Sequence, residues 1–262
     1  NNNSDTTSSG SEESDEEMLP VIAGGHKRVA YSSGSMTVTD AKSIAKPFGA
    51  TVNDVMLCCL SGAIDQYAQQ NIATTESDDA PPLERCNVRV GIPVNIRTKV
   101  EEFASPSNKF GFMICKLPLG MSNVEQRLQW IRRETSWNKK LPESFFSNFV
   151  NFVIGKVTPV WLLKEFFKTM SQYQSLIVSN VVSNSEPCAI NGSTIKSILP
   201  FTPLPWGIGL GLMILSYNNR INIALTTDGN LIPDPENLID YIVDEFNTLK
   251  DKYVTEDSAV DS

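Results

Sequence analysis

The chain has 262 residues, of which 41% are hydrophobic, enough to bury one sizeable core. Its net charge is -8, but Asp5, Glu12, Glu13, Asp15, Glu16 and Glu17 all precede the first basic side chain; the remainder is nearly neutral, which argues against a broad basic field and a nucleic-acid partner. Five cysteines with no C-x-x-C pair, and a single histidine, argue against a disulfide framework and a zinc site and fit reduced, buried thiols in a cytosol-facing protein.

Residues 1–27 have no apolar period and read as an acidic, disordered linker or tail. Because the first residue is Asn, the chain reads as a piece of a longer protein. The folded domain is expected over 28–250, with 251–262 as a frayed acidic tail. Arg28–Ser33 reads as a short strand. Thr39 or Asp40 is placed to cap a short helix that ends near Pro47, and Gly49 can leave that helix in a left-handed turn.

The stretch "TVNDVMLCCLSGAI" then opens a mostly buried helix. Thr51 and Asp54 have the spacing of a capping box, in which the hydroxyl accepts from the Asp54 amide while the carboxylate reaches back to Thr51. Asn53 sits between them. Residues 71–86, rich in acids, Thr and Pro, read as a loop. "NVRVGIPVNIR" alternates as a strand that Pro93 should stop or place near an edge. "KFGFMICKLPL" is a second strand. Ser122 and Glu125 form another capping-box pattern before the apolar stripe Val124, Leu128 and Ile131.

The Phe-rich stretch 142–169 should break at Gly155 and Pro159 into two helical pieces. Its apolar surplus at 145–167 fits either a membrane-surface helix or a core or interface. "SLIVSNVVS" and "STIKSIL" read as strands. Met213–Tyr217 and Arg220–Thr226 should form a hairpin across Asn218-Asn219. Asp234 and Pro235 start a last helix with Ile239, Ile242, Phe246 and Leu249 on one side. The irregular order of strands and helices implies an α/β fold, a mixed sheet covered by helices. The apolar centre "LPWGIGLGLMIL" is too short to span a membrane as a helix and suits a buried strand, with its glycines used for close backbone approach.

Catalytic chemistry is sparse. His26, the one imidazole, lies in the Gly-flanked segment "AGGHKR", where nothing local would hold a catalytic base. Cys58 and Cys59 have no evident base partner. Asp228 and Asp234 read as a turn residue and a helix cap rather than a carboxylate pair. No phosphate-binding Gly-rich loop is present.

In their order and spacing, "GATVNDVMLCCLSGAI", "RVGIPVNIR", "NKFGFMICKLPL", "SLIVSNVV", "SYNNRINIALTTD" and "PDPENLIDYIVDEF" resemble the C-terminal half of wax ester synthase/diacylglycerol acyltransferase proteins. Asn53-Asp54 and Ser216-Tyr217 are the most recognisable points, and the resemblance runs from about residue 29 to 250. One departure is clear: the Pro-Gly-Pro turn usual in the family after Ser/Thr-Asn-Val is replaced, after Ser179-Asn180-Val181, by "VSNSEP".

The resemblance implies the second domain of a CoA-dependent acyltransferase fold, in which two related domains flank a tunnel. It implies acyl-CoA as co-substrate, with no permanently bound cofactor and no metal. The acceptor would be a fatty alcohol or diacylglycerol. The general base would be the second His of an H-H-x-x-x-D-G motif in the N-terminal half; no such motif occurs here, so the chain is expected to be inactive alone and to need that half as a partner. Asn53 and Asp54 would support the tunnel and active site: Asn53 is either a tunnel-wall residue or a helix-start residue, and Asp54 fixes the helix start behind it. Arg89, Arg97, Lys109 and Lys116 either meet CoA phosphates or face solvent. A peripheral place at the endoplasmic reticulum or a lipid-droplet surface is expected. The alternative is a non-catalytic lipid-binding or scaffold domain of the same fold.

Overall fold

The computed structural model describes residues 26–72, 83, 86–95, 110–138, 159, 161–162, 165, 168–169, 173–204 and 207–254. The acidic start, most of the 71–86 loop, nearly all of the Phe-rich stretch and the tail after Val254 lie outside the described residues.

In chain order the elements are β1 (Lys27–Thr37), α1 (Val38–Ala45), a 3-10 turn (Lys46–Phe48), α2 (Val52–Ile72), β2 (Asn87–Asn95), β3 (Phe110–Pro118), α3 (Val124–Asn138), β4 (Leu176–Val182), the short pair β5 (Ala189–Ile190) and β6 (Ser193–Thr194), β7 (Leu210–Tyr217), β8 (Arg220–Asp228) and α4 (Pro235–Tyr253). Six strands form one mixed sheet in the order β1-β8-β7-β4-β2-β3. Strands β2, β4 and β7 run parallel at its centre, and β3 on one side and β8 with β1 on the other are antiparallel. This is the helix-covered mixed sheet expected from the sequence.

One face of the sheet carries the main core. Val90, Ile92, Leu176, Val178, Leu212, Ile214, Ile221, Ile223 and Leu225 pack there with Val55–Leu60 of α2, Leu128 and Ile131 of α3, and Leu238, Ile239, Ile242, Phe246 and Leu249 of α4. Their alternation along the strands, the three-and-four spacing in α3 and α4, and the run Val55–Leu60 that buries α2 on every side produce this single apolar layer.

The excursion between β4 and β7 covers part of the opposite face, over β7. Tyr217, 1% exposed, accepts from the Cys188 amide at 2.7 Å and donates to the Ile195 carbonyl at 3.0 Å, pinning that excursion from both sides. Gly211 lies beneath it: a Cβ there would stand 2.6 Å from Thr202 Cγ2 and 2.9 Å from Leu204 Cδ2, so the close approach read from "GIGLG" is present.

Several local expectations are corrected. β1 runs on to Thr37, and Thr37 rather than Thr39 or Asp40 caps α1, accepting from Asp40 N at 3.0 Å. Thr39 is engaged by Asn219 of the β7–β8 hairpin, and Asp40 by Lys250. Asn123, not Ser122, caps α3, accepting from the amides of Glu125 and Gln126. Glu125 turns instead to Lys252 and Tyr253 at the end of α4. Pro93 neither ends β2 nor lies on an edge strand; β4 pairs with β2 only at Val90 and Gly91, so the missing N–H falls beyond that ladder. In "STIKSIL" only Ser193 and Thr194 are strand; the chain is then held at Ile195 by Cys188 and Tyr217. The Asn218-Asn219 turn forms as expected, with φ of 48° and 58°.

A buried ion pair joins the helix layer. Arg127 of α3 meets Glu245 of α4 and also donates to the Met121 carbonyl, while Gln66 of α2 donates to Glu245 at 2.9 Å. Gly62 gives this pair its room, since a Cβ there would lie 2.5 Å from both partners. Replacing one partner strands the other charge away from water, at a cost of about 3–5 kcal/mol, whereas replacing both removes that penalty. Arg127→Met alone should therefore destabilise the protein by about 3 kcal/mol in urea unfolding, and adding Glu245→Met should recover most of the loss. Strict additivity of the two changes would show that the pair is not coupled.

The neighbouring thiols follow the same burial. Desolvation, partly opposed by Arg127, pushes the Cys58 thiol up to about 11; burial pushes Cys115 up to about 12, with Glu134 and Asp54 adding to it; burial likewise raises Cys59 well above its usual range. At pH 8 these three thiols should resist iodoacetamide in the native protein and react after unfolding, as read by mass spectrometry.

Candidate functional site

The segment entering α2 is set by two devices in succession. Gly49 takes a left-handed φ of 57°, ending the 3-10 turn, and Ala50 N donates back to Ala45 O. The chain then turns into α2 through the reciprocal pair of Thr51 and Asp54. Asp54 N donates to Thr51 Oγ1 at 3.3 Å, while Asp54 Oδ2 accepts from Thr51 N and Thr51 Oγ1, both at 2.8 Å. The capping box inferred from spacing alone is thus formed.

Asp54 does more than cap. It is 2% exposed, and its second oxygen, Oδ1, accepts from the hydroxyl of Thr135 on α3 at 2.8 Å. Both carboxylate oxygens are therefore committed, which suits Asp54 to holding the helix start rather than to exchanging protons with a ligand. Nothing in the spacing of the sequence marks Thr135, which lies 81 residues away in the last turn of a helix.

Asn53 is half-buried at the same turn. Among the described residues its side-chain amide has no hydrogen-bond partner, so it retains both donor and acceptor capacity next to a rigid anchor. The course of α2 locates it. Ser61 Oγ donates to Pro118 O at 2.6 Å, and Asp65 Oδ1 accepts from Gly120 N at 2.9 Å. Helix α2 is thus fastened at Ser61 and Asp65 to the end of β3, with Asn53 on its first turn.

Two cavities lie elsewhere. One of about 170 Å³ is walled by Ile64, Tyr67, Val88, Leu176, Leu210 and Leu231, at the far end of α2. Another of about 330 Å³ lies at the turn into α3, between Asn87, Gly120, Asn123 and Trp130. Neither is lined by Asn53 or Asp54. Asp234 precedes Pro235 at the start of α4 as expected, but its carboxylate accepts from Tyr67 and Asn237 side chains instead of a helix amide. Asp228 is a turn residue, accepting from Asn230 N at 3.0 Å.

The remaining sequence candidates separate. His26 is exposed at the start of β1, where its carbonyl accepts from Gly229 N. Arg89 and Lys116 face each other across β2 and β3 and are both exposed, while Arg97 and Lys109 lie outside the described residues. Among the described residues, no three His, Cys, Asp or Glu side chains converge as a metal site. The altered segment after Ser179-Asn180-Val181 stays against the sheet: Ser183 N donates to Ser216 O at 2.8 Å and Asn218 N to Asn184 O at 3.0 Å. Asn180 carries a buried Oδ1 with no partner among the described residues.

Among the described residues, no single helix is long and apolar enough to cross a membrane. Helices α1 and α2 with the intervening turn satisfy length and composition jointly, bent by 92°. Their apolar side chains, including Ile44, Val55, Met56, Leu57 and Leu60, belong to the sheet-facing core.

Residues 107–250 match the sequence model of the WS/DGAT C-terminal domain. The chain is 24% identical over 217 residues to the O-acyltransferase WSD of Acinetobacter baylyi, covering 82% of this chain and 45% of that protein. It is 25% identical over 243 residues to wax ester synthase/diacylglycerol acyltransferase 8 of Arabidopsis thaliana, covering 82% and 48%. The chain spans about half the length of these relatives. Among solved structures, the wax ester synthase/diacylglycerol acyltransferase from Marinobacter aquaeolei VT8 superposes with a TM-score of 0.63 at 18% identity, over 87% of this chain and 49% of that one, a likeness of fold. The family match covers more than half the chain and includes β4 and β7 of the central parallel strands, so the chain belongs to the wax ester synthase/diacylglycerol acyltransferase family, within the CoA-dependent acyltransferase superfamily, through its WS/DGAT C-terminal domain.

Proposed function

We propose that this chain is the C-terminal part of an O-acyltransferase that moves a fatty acyl group from acyl-CoA to a long-chain alcohol or diacylglycerol, with the domain spanning residues 28–250. Membership in the enzyme family supports this reading. The single structural observation that carries it is the helix start at Thr51–Asp54. There a buried, fully committed carboxylate fixes the backbone beside an amide, Asn53, that has no hydrogen-bond partner among the described residues.

The chemistry is direct transfer. The acceptor hydroxyl attacks the thioester carbonyl, a C–O bond forms, and the C–S bond breaks. The hydroxyl proton passes to an imidazole of the N-terminal half and from there to the departing CoA thiolate. Oxyanion character develops on the carbonyl oxygen and needs a fixed donor. Asn53 would line the tunnel and help position that centre, while Asp54 keeps the turn from shifting. The complete protein would work peripherally at a cytosol-facing membrane or lipid-droplet surface.

A second reading is favoured by one specific observation: the one histidine of this chain is exposed at the beginning of β1. A lipid-binding or scaffold domain of the same fold would need no base. The two readings part in an assay. The chain should transfer an acyl group from acyl-CoA to hexadecanol or diacylglycerol only together with a half that carries H-H-x-x-x-D-G. Lipid binding with no transfer in that combination would establish the scaffold reading instead.

In the complete protein Asn53→Ala should lower kcat/KM by about 10²-fold, the scale seen when a positioned donor is lost near a developing charge. Unchanged activity and unchanged acyl-chain preference would remove Asn53 from the tunnel wall.

A further inference from the structure

We propose that Thr135 is a positioning residue for the acyl-transfer site: by holding the free oxygen of Asp54, it sets the depth and rotation of the first turn of α2, and with them the place of the Asn53 amide. This rests on the reading that Asn53 serves that site.

Thr135 lies on the buried side of α3 and is 1% exposed. Its Oγ1 stands 2.8 Å from Asp54 Oδ1 and 3.2 Å from the Arg132 carbonyl. A threonine inside a helix ordinarily returns its single proton to the carbonyl of the preceding turn. Here the shorter contact is to a carboxylate, and a hydrogen bond to that group is the stronger of the two. The proton therefore serves α2 rather than α3.

The remaining contacts of Asp54 all come from Thr51, within its own turn. They shape that turn but do not place it in the domain. Thr135 supplies the link to another element. One turn further along α2, Cys58 Sγ lies 3.7 Å from the carbonyl of Val124, the first residue of α3, so the two helices cross with opposite chain directions. The Thr135–Asp54 contact thus locks the end of the pair at which Asn53 sits.

The test uses the complete protein and compares Thr135→Val, which keeps the side-chain shape and loses the donor, with Thr135→Ser, which keeps the donor. Rates are taken per folded molecule, with the folded fraction read from thermal melting. Thr135→Val should lower kcat about tenfold while KM for acyl-CoA stays within about twofold, because a misplaced group weakens the reacting geometry more than substrate binding. Thr135→Ser should return kcat to within about twofold of the parent. If Thr135→Val does not accumulate as folded protein, Thr135→Cys, which offers only a weak donor, takes its place with the same expected direction. An unchanged kcat in the donor-lacking variant, or an equal fall in Thr135→Ser, would overturn the proposal. Asn53→Ala measured alongside separates the two levels. Full activity there removes the tunnel reading and Thr135 with it, whereas loss in Asn53→Ala without loss in Thr135→Val removes only the positioning role.

Discussion

A carboxylate with 2% exposure must find its hydrogen bonds inside the protein, and around Asp54 that requirement organises much of the helix layer. Thr51 satisfies one oxygen and Thr135 the other. Satisfying both decides how the chain enters α2 and how α3 lies beside it. The same α3 then reaches α4 through Arg127 and Glu245. Three helices are thereby tied to one another by polar contacts at defined points, over an apolar layer that by itself would tolerate sliding. The arrangement places specificity in a few buried polar links and bulk stability in the sheet-facing side chains.

The parts of this arrangement that are local in sequence were legible before the structure. Thr51 and Asp54 stand three apart, so the capping box could be read from spacing. The Asn218-Asn219 hairpin was equally legible because its turn chemistry is contained in two residues. The mixed, helix-covered sheet followed from the alternation of strand and helix patterns. Errors arose where a distant partner took over a residue that local rules had already assigned. Thr39 and Asp40 look like helix caps, but Asn219 and Lys250 draw their side chains away and Thr37 caps instead. Glu125 looks like half of a capping box, yet Lys252 and Tyr253 take it. Thr135 could not be seen at all, because a hydroxyl in a helix interior is usually satisfied by its own backbone.

The excursion between β4 and β7 shows how a changed loop can leave the sheet intact. Adjacent parallel strands need a crossover of substantial length, and here it folds back over the face away from the helices. Tyr217 holds it from below, and Gly211 lets Thr202 and Leu204 come close to the strand. The segment that replaces the family's usual turn is fastened by backbone bonds to Ser216 and to the hairpin. Backbone bonds of that kind do not depend on side-chain identity, and they fasten this segment beside the paired β4 and β7.

The division of labour proposed for the complete protein follows from the same distinction between fixed and free polar groups. A group that steadies a developing charge is most effective when its position is already set before the substrate arrives, since it then costs no reorganisation during the reaction. Asn53 meets that condition through a neighbour and not through bonds of its own. Asp54 absorbs the constraints imposed by α2 and α3, and among the described residues the adjacent amide has no hydrogen-bond partner. A proton-handling imidazole has the opposite need, because it must change charge during turnover and requires a partner that stabilises both states. In the proposed enzyme, placing that imidazole on the other half would separate the two demands: this chain would supply a rigid wall, and the other half the titrating group.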